Sequence, residues 1–529
     1  MTQNLLHAVR TRIDWVAQES DMLRRVSVAM SIGVLTFLFT IHLVPHLWTG
    51  NEVNYFDLAH RWVNPDAFGD AYAVNDASIA RMVSFIVIGF GIQSLGMESA
   101  FAFFGFCFLI VSPLAYIYLL RSLRIDLLSS ALALILFFAL DQSLVGHASI
   151  FGTVEPKSFA YILVIFGLGL AMTERRITAI ILCAAAVYFH ILVGGFWGAA
   201  VLGLFVLKDG AVRKSLPLLG IFVGLTSPLI LAIASARIGV LPGSSEIDLN
   251  VVYAVFRNPH HIAPFADSGV FFATWLPGFI LHGVLAAGIG LYAYRSRLDN
   301  RSFAIWVAGL NAYIVLAGII AFLDRETHVL AMFYMFRPSA LILLLSMLWV
   351  SKHLLSPTRS YLRYLAVAAA AIWMGIHAAV FSYAATLLIR GHLPLASMLT
   401  PAESDLVEWV GTETPTGSVI VIQPLSGDRF LGEGSGVWSG MERLLNRPTL
   451  VNYKFVPTDK PNMLKWYQLL QWRDAVFAGD CSSIDAYSVD YLIIREAANE
   501  PSLAACTDMV WRSGELAVLQ VNVAKAAGT

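Results

Sequence analysis

A succession of apolar runs, each near the length that crosses a bilayer and separated by short polar loops, constrains this chain more than any other feature. The runs fall at about 26–44, 99–120, 127–145, 158–172, 177–191, 194–207, 215–234, 271–293, 303–322, 329–350 and 363–389. A spanning helix needs roughly 20 apolar residues, with roughly 17 as the lower bound. The shorter runs must therefore tilt little, thin the bilayer or be covered by neighbours. About eleven spans follow, so the expected fold class is an α-helical polytopic membrane protein. Charged residues make up 13% of the 529, where a soluble domain carries roughly 25%. Lipid is the expected main solvent, and membrane lipids are the first expected partners. The net charge of -1 offers no basic field for nucleic acid.

Orientation follows from Lys and Arg in the short loops, which are retained on the cytoplasmic side. The N-terminal arm (1–25), Arg121/Arg124, Arg175/Arg176, Lys208/Arg213/Lys214, Arg295/Arg297/Arg301 and Lys352/Arg359/Arg363 hold roughly 17 positive residues. The alternate segments 45–98, 141–157, 235–270 and 323–328 hold roughly 6. The first set is expected inside, in a bacterial inner membrane, with the N-terminus cytoplasmic. Parity then forbids the run 79–97 from spanning singly. It is expected as a re-entrant or surface-lying outer helix packed on protein. The arm shows no cleavable signal, because Arg10, Arg12, Arg24 and Arg25 precede the first long apolar run without a small-residue cleavage site. Leu5 to Val16 reads as a short amphipathic helix.

The transmembrane region 26–389 carries two large outer loops, 45–98 and 235–270. Beyond about 402 the composition changes. Glu403 to Val410 reads as a helix, Ser418 to Gln423 as a buried strand, Gly432 to Gly440 as a loop, and Met463 to Trp472 as a helix. Tyr491 to Ile494 and Leu516 to Val521 read as strands. Residues 402–529 are thus expected to form a small extracytoplasmic α/β domain. Cys107 and Cys183 lie in apolar runs as inert thiols. Cys481 and Cys506 lie in the polar domain, where an oxidising compartment permits a disulfide.

Candidate chemistry comes from charged groups near the outer ends of the spans, where each charge needs a reason. Glu52 lies just beyond the first span. It is either a solvated carboxylate pairing with Arg61 or Arg81, or a general base whose pKa a low-dielectric wall raises. Asp57 follows on the hydrophilic side of the helix expected over Asn51 to Trp62. In Glu155-Pro156-Lys157, Lys157 can meet a phosphate as a point charge with Glu155 positioning it, or the two form a local ion pair at a helix start. His190, before Gly194-Gly195, either caps a helix end or marks an interrupted helix of the kind that binds solutes. Arg337 is placed inside the run 329–350, about two turns from its outer end. It should face an anion there, either a phosphate or a carboxylate such as Glu326. His260 and His261 are candidates for headgroup contact. Asp66, Asp70 and Asp76 are too loosely spaced for a metal site. No nucleotide-binding or nucleophile-elbow motif occurs, so no metal or cofactor is expected.

Several stretches carry a family likeness: Asn51-Glu52-Val53-Asn54-Tyr55, Gly152 to Tyr161 (GTVEPKSFAY), His190 to Gly195, Glu408-Trp409 through Thr414-Pro415, Arg447 to Lys454 (RPTLVNYK) and Trp466-Tyr467. With the layout of a first span, an acidic outer loop, many short spans and an outer C-terminal domain, the chain resembles the GT-C superfamily of membrane glycosyltransferases. It looks closest to a group of uncharacterised bacterial membrane proteins distantly similar to that superfamily. The resemblance implies a polyprenyl-phosphate-linked sugar donor used on the outer face. It gives Glu52 the role of base, with Asp57 as substitute, and makes Lys157, His190 and Arg337 ligands of the lipid phosphate. The loop acid here is Glu within Asn-Glu-Val, where Asp or Asp-Glu is usual. A second expectation is non-enzymatic: binding, transport or scaffolding of a lipid-linked saccharide in envelope polysaccharide assembly.

Overall fold

The computed structural model describes residues 32–40, 50–65, 79–237, 247–296, 300–355, 360–389, 399–424, 438, 441–454, 456–457, 459–495 and 500–522. The expected helix at Leu5 to Val16, the acids Asp66, Asp70 and Asp76, and Gly432 to Gly440 apart from Trp438 lie outside the described residues.

Residues 32–40 are helical. The helices that follow are α1 (Gly50–Val63), α2 (Met82–Leu95), α3 (Met97–Leu123), α4 (Leu127–Ala139), α5 (Pro156–Met172) and α6 (Arg176–Phe189). After them come α7 (Ile191–Asp209), α8 (Val212–Arg237), α9 (Leu276–Arg295), α10 (Arg301–Leu323), α11 (Ser339–Leu354) and α12 (Ser360–Ile389). Among the described residues, five helical segments are long and apolar enough to cross a membrane: α3, α7, α10, most of α8, and α9 with the turn before it. Ile79–Leu95, Leu127–Ala139, Pro156–Met172, Arg176–Phe189, Ser339–Leu354 and Val367–Tyr383 form shorter apolar helices.

Local chemistry sets many boundaries. Asp126 caps α4 by accepting from Ser129 N at 3.1 Å, Pro156 opens α5, and Gly210 in the left-handed region closes α7. Pro113 in α3 and Pro217 and Pro228 in α8 sit within helices, as spanning helices tolerate when neighbours satisfy the freed carbonyls. The apolar run 79–97 becomes α2, which turns into α3 at Gly96. It is held between neighbours: an added Cβ on Gly89 would press on Ala59 O and Val63, and one on Gly91 on Phe104.

The membrane-domain core centres on α11, where Ala340 to Leu345 are all fully buried. A helix apolar on every side belongs inside a bundle. The periphery is the reverse. Val223 and Leu231 of α8, Ile280 and Val284 of α9, and Ile372 and Ile376 of α12 are all exposed, giving the broad apolar faces that lipid covers. A polar ladder ties three helices together across this region. His282 of α9 donates to Asn311 of α10 at 2.8 Å, and Asn311 donates to Ser346 of α11 at 2.8 Å.

The C-terminal domain is built on a four-stranded sheet in the order β1-β2-β4-β3: β1 (Ile420–Ile422), β2 (Tyr491–Ile494), β3 (Thr507–Ser513) and β4 (Leu516–Val521). β1 and β2 pair in parallel and the other pairs are antiparallel. The period-two alternation of strands sends Tyr491, Ile493 and Val518 to one side, against Leu406 and Val410 of α13 (Pro401–Glu413). It sends Leu492, Ile494 and Leu519 to the other, against Trp466 and Leu469 of α14 (Lys460–Phe477). Thr400 and Glu403 form a reciprocal capping box that starts α13. Cys481 and Cys506 form a disulfide.

Candidate functional site

The domain docks on the segment between α8 and α9. Phe256 sits in an aromatic box of Tyr453, Trp466 and Tyr467. Tyr453 Oη donates to Phe256 O at 2.6 Å, and Arg257 donates to Lys454 O at 2.9 Å. This clamp brings Lys454, from the C-terminal domain, to the helix ends that hold Glu155 and Lys157. Both act electrostatically on its ammonium.

Arg337 requires a correction. It lies outside any helix, in the irregular stretch between α10 and α11, two residues before Ser339 opens α11. The residue preceding a proline is pushed out of helical conformation, so Pro338 starts the helix later than the apolar run suggests. Tyr161 Oη donates to Arg337 O at 2.6 Å, and Phe336 packs on Trp275 and Phe279. The guanidinium stacks 4.6 Å over the Tyr334 ring. Its Nε is buried without an acceptor, and no carboxylate among the described residues pairs with it. Glu326, the expected carboxylate partner, pairs with Arg325 instead and is largely exposed.

Glu155 and Lys157 form the local ion pair that their spacing allows, at 3.1 Å and both nearly inaccessible. His190 is the single extended residue between α6 and α7, which fold back on one another as a hairpin. A Cβ at Gly194 would collide with the Val187 backbone. His190 Nδ1 accepts from Val193 N at 3.4 Å, the helix-capping role, and this leaves Nε2 to carry the proton of the neutral ring.

His261 has the opposite tautomer. Its Nδ1 lies 2.7 Å from Gly146 O, a carbonyl that can only accept, so Nε2 keeps its lone pair. Gly146 adopts φ +74°, and an added Cβ would strike Phe336. Burial first, then the neighbouring His260 and Arg337, holds the His261 imidazole well below its ordinary range. Burial and Arg257 push His260 down to about 2. Both rings are neutral near pH 7. Lys454 is pushed down to about 7 by burial first and Arg257 second.

The structure therefore gathers Lys157, His190, Arg337 and Glu155. Arg337, Arg81 and Lys157 all act on His190, and Arg337 and Lys157 also act on His261. Glu52 joins at the edge: its carboxylate accepts from Val154 N at 2.6 Å, next to Glu155 in the chain. It is wholly buried on α1, which corrects the reading of a solvated loop carboxylate. Asp57 is also buried rather than on a hydrophilic side. Five residues along the helix it points about 140° away from Glu52. Nothing local in the sequence marks Arg257, Tyr253 or Tyr334 as part of this site. Tyr253 Oη meets Tyr334 Oη at 3.0 Å, bringing the two loops together. Only Lys454 carried a hint, through its place in Arg447 to Lys454. Among the described residues no group of three or more His, Cys, Asp or Glu is placed to hold a metal.

Such an arrangement can hold a phosphate or pyrophosphate. It offers fixed cations, a donor imidazole and an acceptor imidazole, within a protein wall that strengthens each charge. Comparison of the chain with models of known families gives no match, and comparison with curated proteins gives none.

Proposed function

We propose that the protein binds a polyprenyl-phosphate-linked sugar through these cations and acts as a GT-C-type glycosyltransferase on the outer face of a bacterial inner membrane. The observation that carries the proposal is Arg337. It is a guanidinium with no carboxylate partner among the described residues, an Nε buried without an acceptor, and Lys157 and His190 in its field. In the reaction the acceptor hydroxyl oxygen bonds to the anomeric carbon. The bond from that carbon to the phosphate oxygen breaks, the polyprenyl phosphate leaves with the electron pair, and the hydroxyl proton passes to Glu52. Cations on the leaving phosphate stabilise the charge that develops there. The Lys and Arg bias of the loops supports the outward orientation, and the disulfide supports an oxidising compartment for the C-terminal domain.

One observation favours the non-enzymatic reading. Glu52 is fully enclosed and already accepts from Val154 N, a geometry that suits a structural carboxylate as well as a base. Glu52→Gln separates the two, because its amide oxygen still accepts from Val154 N–H. With the full chain in lipid nanodiscs and a radiolabelled polyprenyl-phosphate sugar, the variant should bind donor normally and transfer none of it. Transfer at the wild-type rate removes Glu52 from the mechanism. Donor binding by the wild type with no transfer to any acceptor leaves the binding or transport reading.

A further inference from the structure

The same helices present a cavity at their other ends. α5 begins at the candidate site and ends at Met172, and α11 begins just after Arg337 and ends near Lys352. With 16 residues in α11, the two ends lie about 24 Å apart. There a cavity of about 720 Å³ is lined by Arg121, Arg124, Asn300, Trp349, Lys352 and His353 among others, and among the described residues none of its lining is acidic.

A bland account explains part of this. Cations gather at helix C-termini because the helix dipole favours them there, and Lys352 Nζ does donate to Leu123 O at 2.9 Å. Arg121, in the last turn of α3, and Arg124, its C-cap, share that dipole, but neither forms an ion pair or side-chain hydrogen bond among the described residues. The nearest acid in sequence, Asp126, is engaged with Ser129 N and Oγ at 3.1 and 2.6 Å. Arg124 also holds a left-handed φ of 53°, a position that glycine or asparagine fills at lower cost. On the rim, His353 stacks on Trp349 with centroids 4.1 Å apart and meets Tyr292 at 5.1 Å. Beside them Leu291, Tyr292 and Tyr294 of α9 are exposed. Indole and phenol rings beside open apolar surface are the signature of a headgroup-level interface.

We propose that this cavity binds the phosphate of an anionic ligand through Arg121, Arg124 and Lys352, independently of the Arg337 site. The exposed apolar side of α9 favours a phospholipid, whose acyl chains would lie along it.

The test uses the full chain purified in neutral detergent, with native mass spectrometry counting bound phosphatidylglycerol and, in a separate arm, bound inorganic phosphate. The variant Arg121→Gln/Arg124→Asn keeps the backbone content, since asparagine tolerates the left-handed position. Each lost cation should weaken phosphatidylglycerol binding about fivefold, the change that corresponds to ~1 kcal/mol per residue at a headgroup surface. Arg121→Lys/Arg124→Lys should restore it, and Arg337→Met should leave it unchanged. Loss confined to inorganic phosphate assigns the site to a soluble phosphate, with the same residues in the same role. Equal retention of both probes by wild type and Arg121→Gln/Arg124→Asn, or an equal loss of phosphatidylglycerol in Arg337→Met, overturns the proposal.

Discussion

Replacing Arg337 by Met tests the candidate site most directly, because structural and ligand-binding roles for the guanidinium predict opposite results. Methionine keeps a flexible apolar stem over the Tyr334 ring. The substitution forfeits a cation–π contact, here at 4.6 Å, worth ~0.5–1 kcal/mol. It also removes a buried Nε that has no acceptor, and a donor in that state costs ~1–3 kcal/mol. The two roughly cancel. Ligand-free stability should hold within about 1 kcal/mol and is expected to rise if it moves. Binding should behave differently. A forked guanidinium on a phosphate makes charge-assisted bonds worth ~1.5–3 kcal/mol each. Losing about 3 kcal/mol weakens affinity by roughly a hundredfold. Thermal unfolding in detergent measures the first quantity, and titration of a polyprenyl phosphate into nanodiscs the second. A variant that unfolds several kcal/mol more easily and binds as tightly as wild type would refute the reasoning, because Arg337 would then be holding the fold.

Two further outcomes follow from the same geometry. Lys454, held at about 7 against an ordinary 10.5, is charged below pH 7, so phosphate affinity should fall as pH rises from about 6 to about 8, and Lys454→Met should flatten that profile. Its unfolded form binds more protons than its folded form between those two pKa values, so ligand-free stability should move the other way and rise with pH across that window; parallel trends in binding and stability would contradict the assignment. Reducing the Cys481–Cys506 disulfide, which closes a separation of 25 residues, should destabilise the C-terminal domain by about 3.5 kcal/mol. Hydrogen exchange should then quicken in Tyr491–Ile494 but not in α11, and unchanged protection of that strand would count against the bridge as a stabilising element.

What was legible in the sequence divides along local and non-local lines. Apolar runs placed most helices because length and composition are local properties. The strands Tyr491–Ile494 and Leu516–Val521 were legible from their apolar content. The edge strand Thr507–Ser513 was not, because Thr-Asp-Met-Val-Trp-Arg-Ser is exposed along most of its length and lacks the alternation of a half-buried strand. In the run 329–350, hydropathy hid the loop that carries Arg337, since Phe333, Tyr334, Met335 and Phe336 are apolar whether helical or not. Pro338 was the available signal. Glu155, Lys157 and His190 were legible because each sits at a helix boundary. Arg257 and Lys454 were not, because only the docking of Phe256 into the box of Tyr453, Trp466 and Tyr467 brings them there.

That docking bears on why the chain carries a C-terminal domain. Arg257 and Lys454 come from opposite sides of the contact, yet Arg257 NH2 donates to the Lys454 carbonyl and both cations act on His260. Bringing like charges together in a buried place opposes assembly. The aromatic box must therefore outweigh the repulsion, and part of the cost is avoided by letting Lys454 shed its proton near neutral pH. An anion between the two sides reverses the sign of the problem: it attracts both cations, and Lys454 regains its proton. A site built this way is least stable when empty and most stable when filled, so the ligand itself should tighten the junction between the membrane helices and the domain above them.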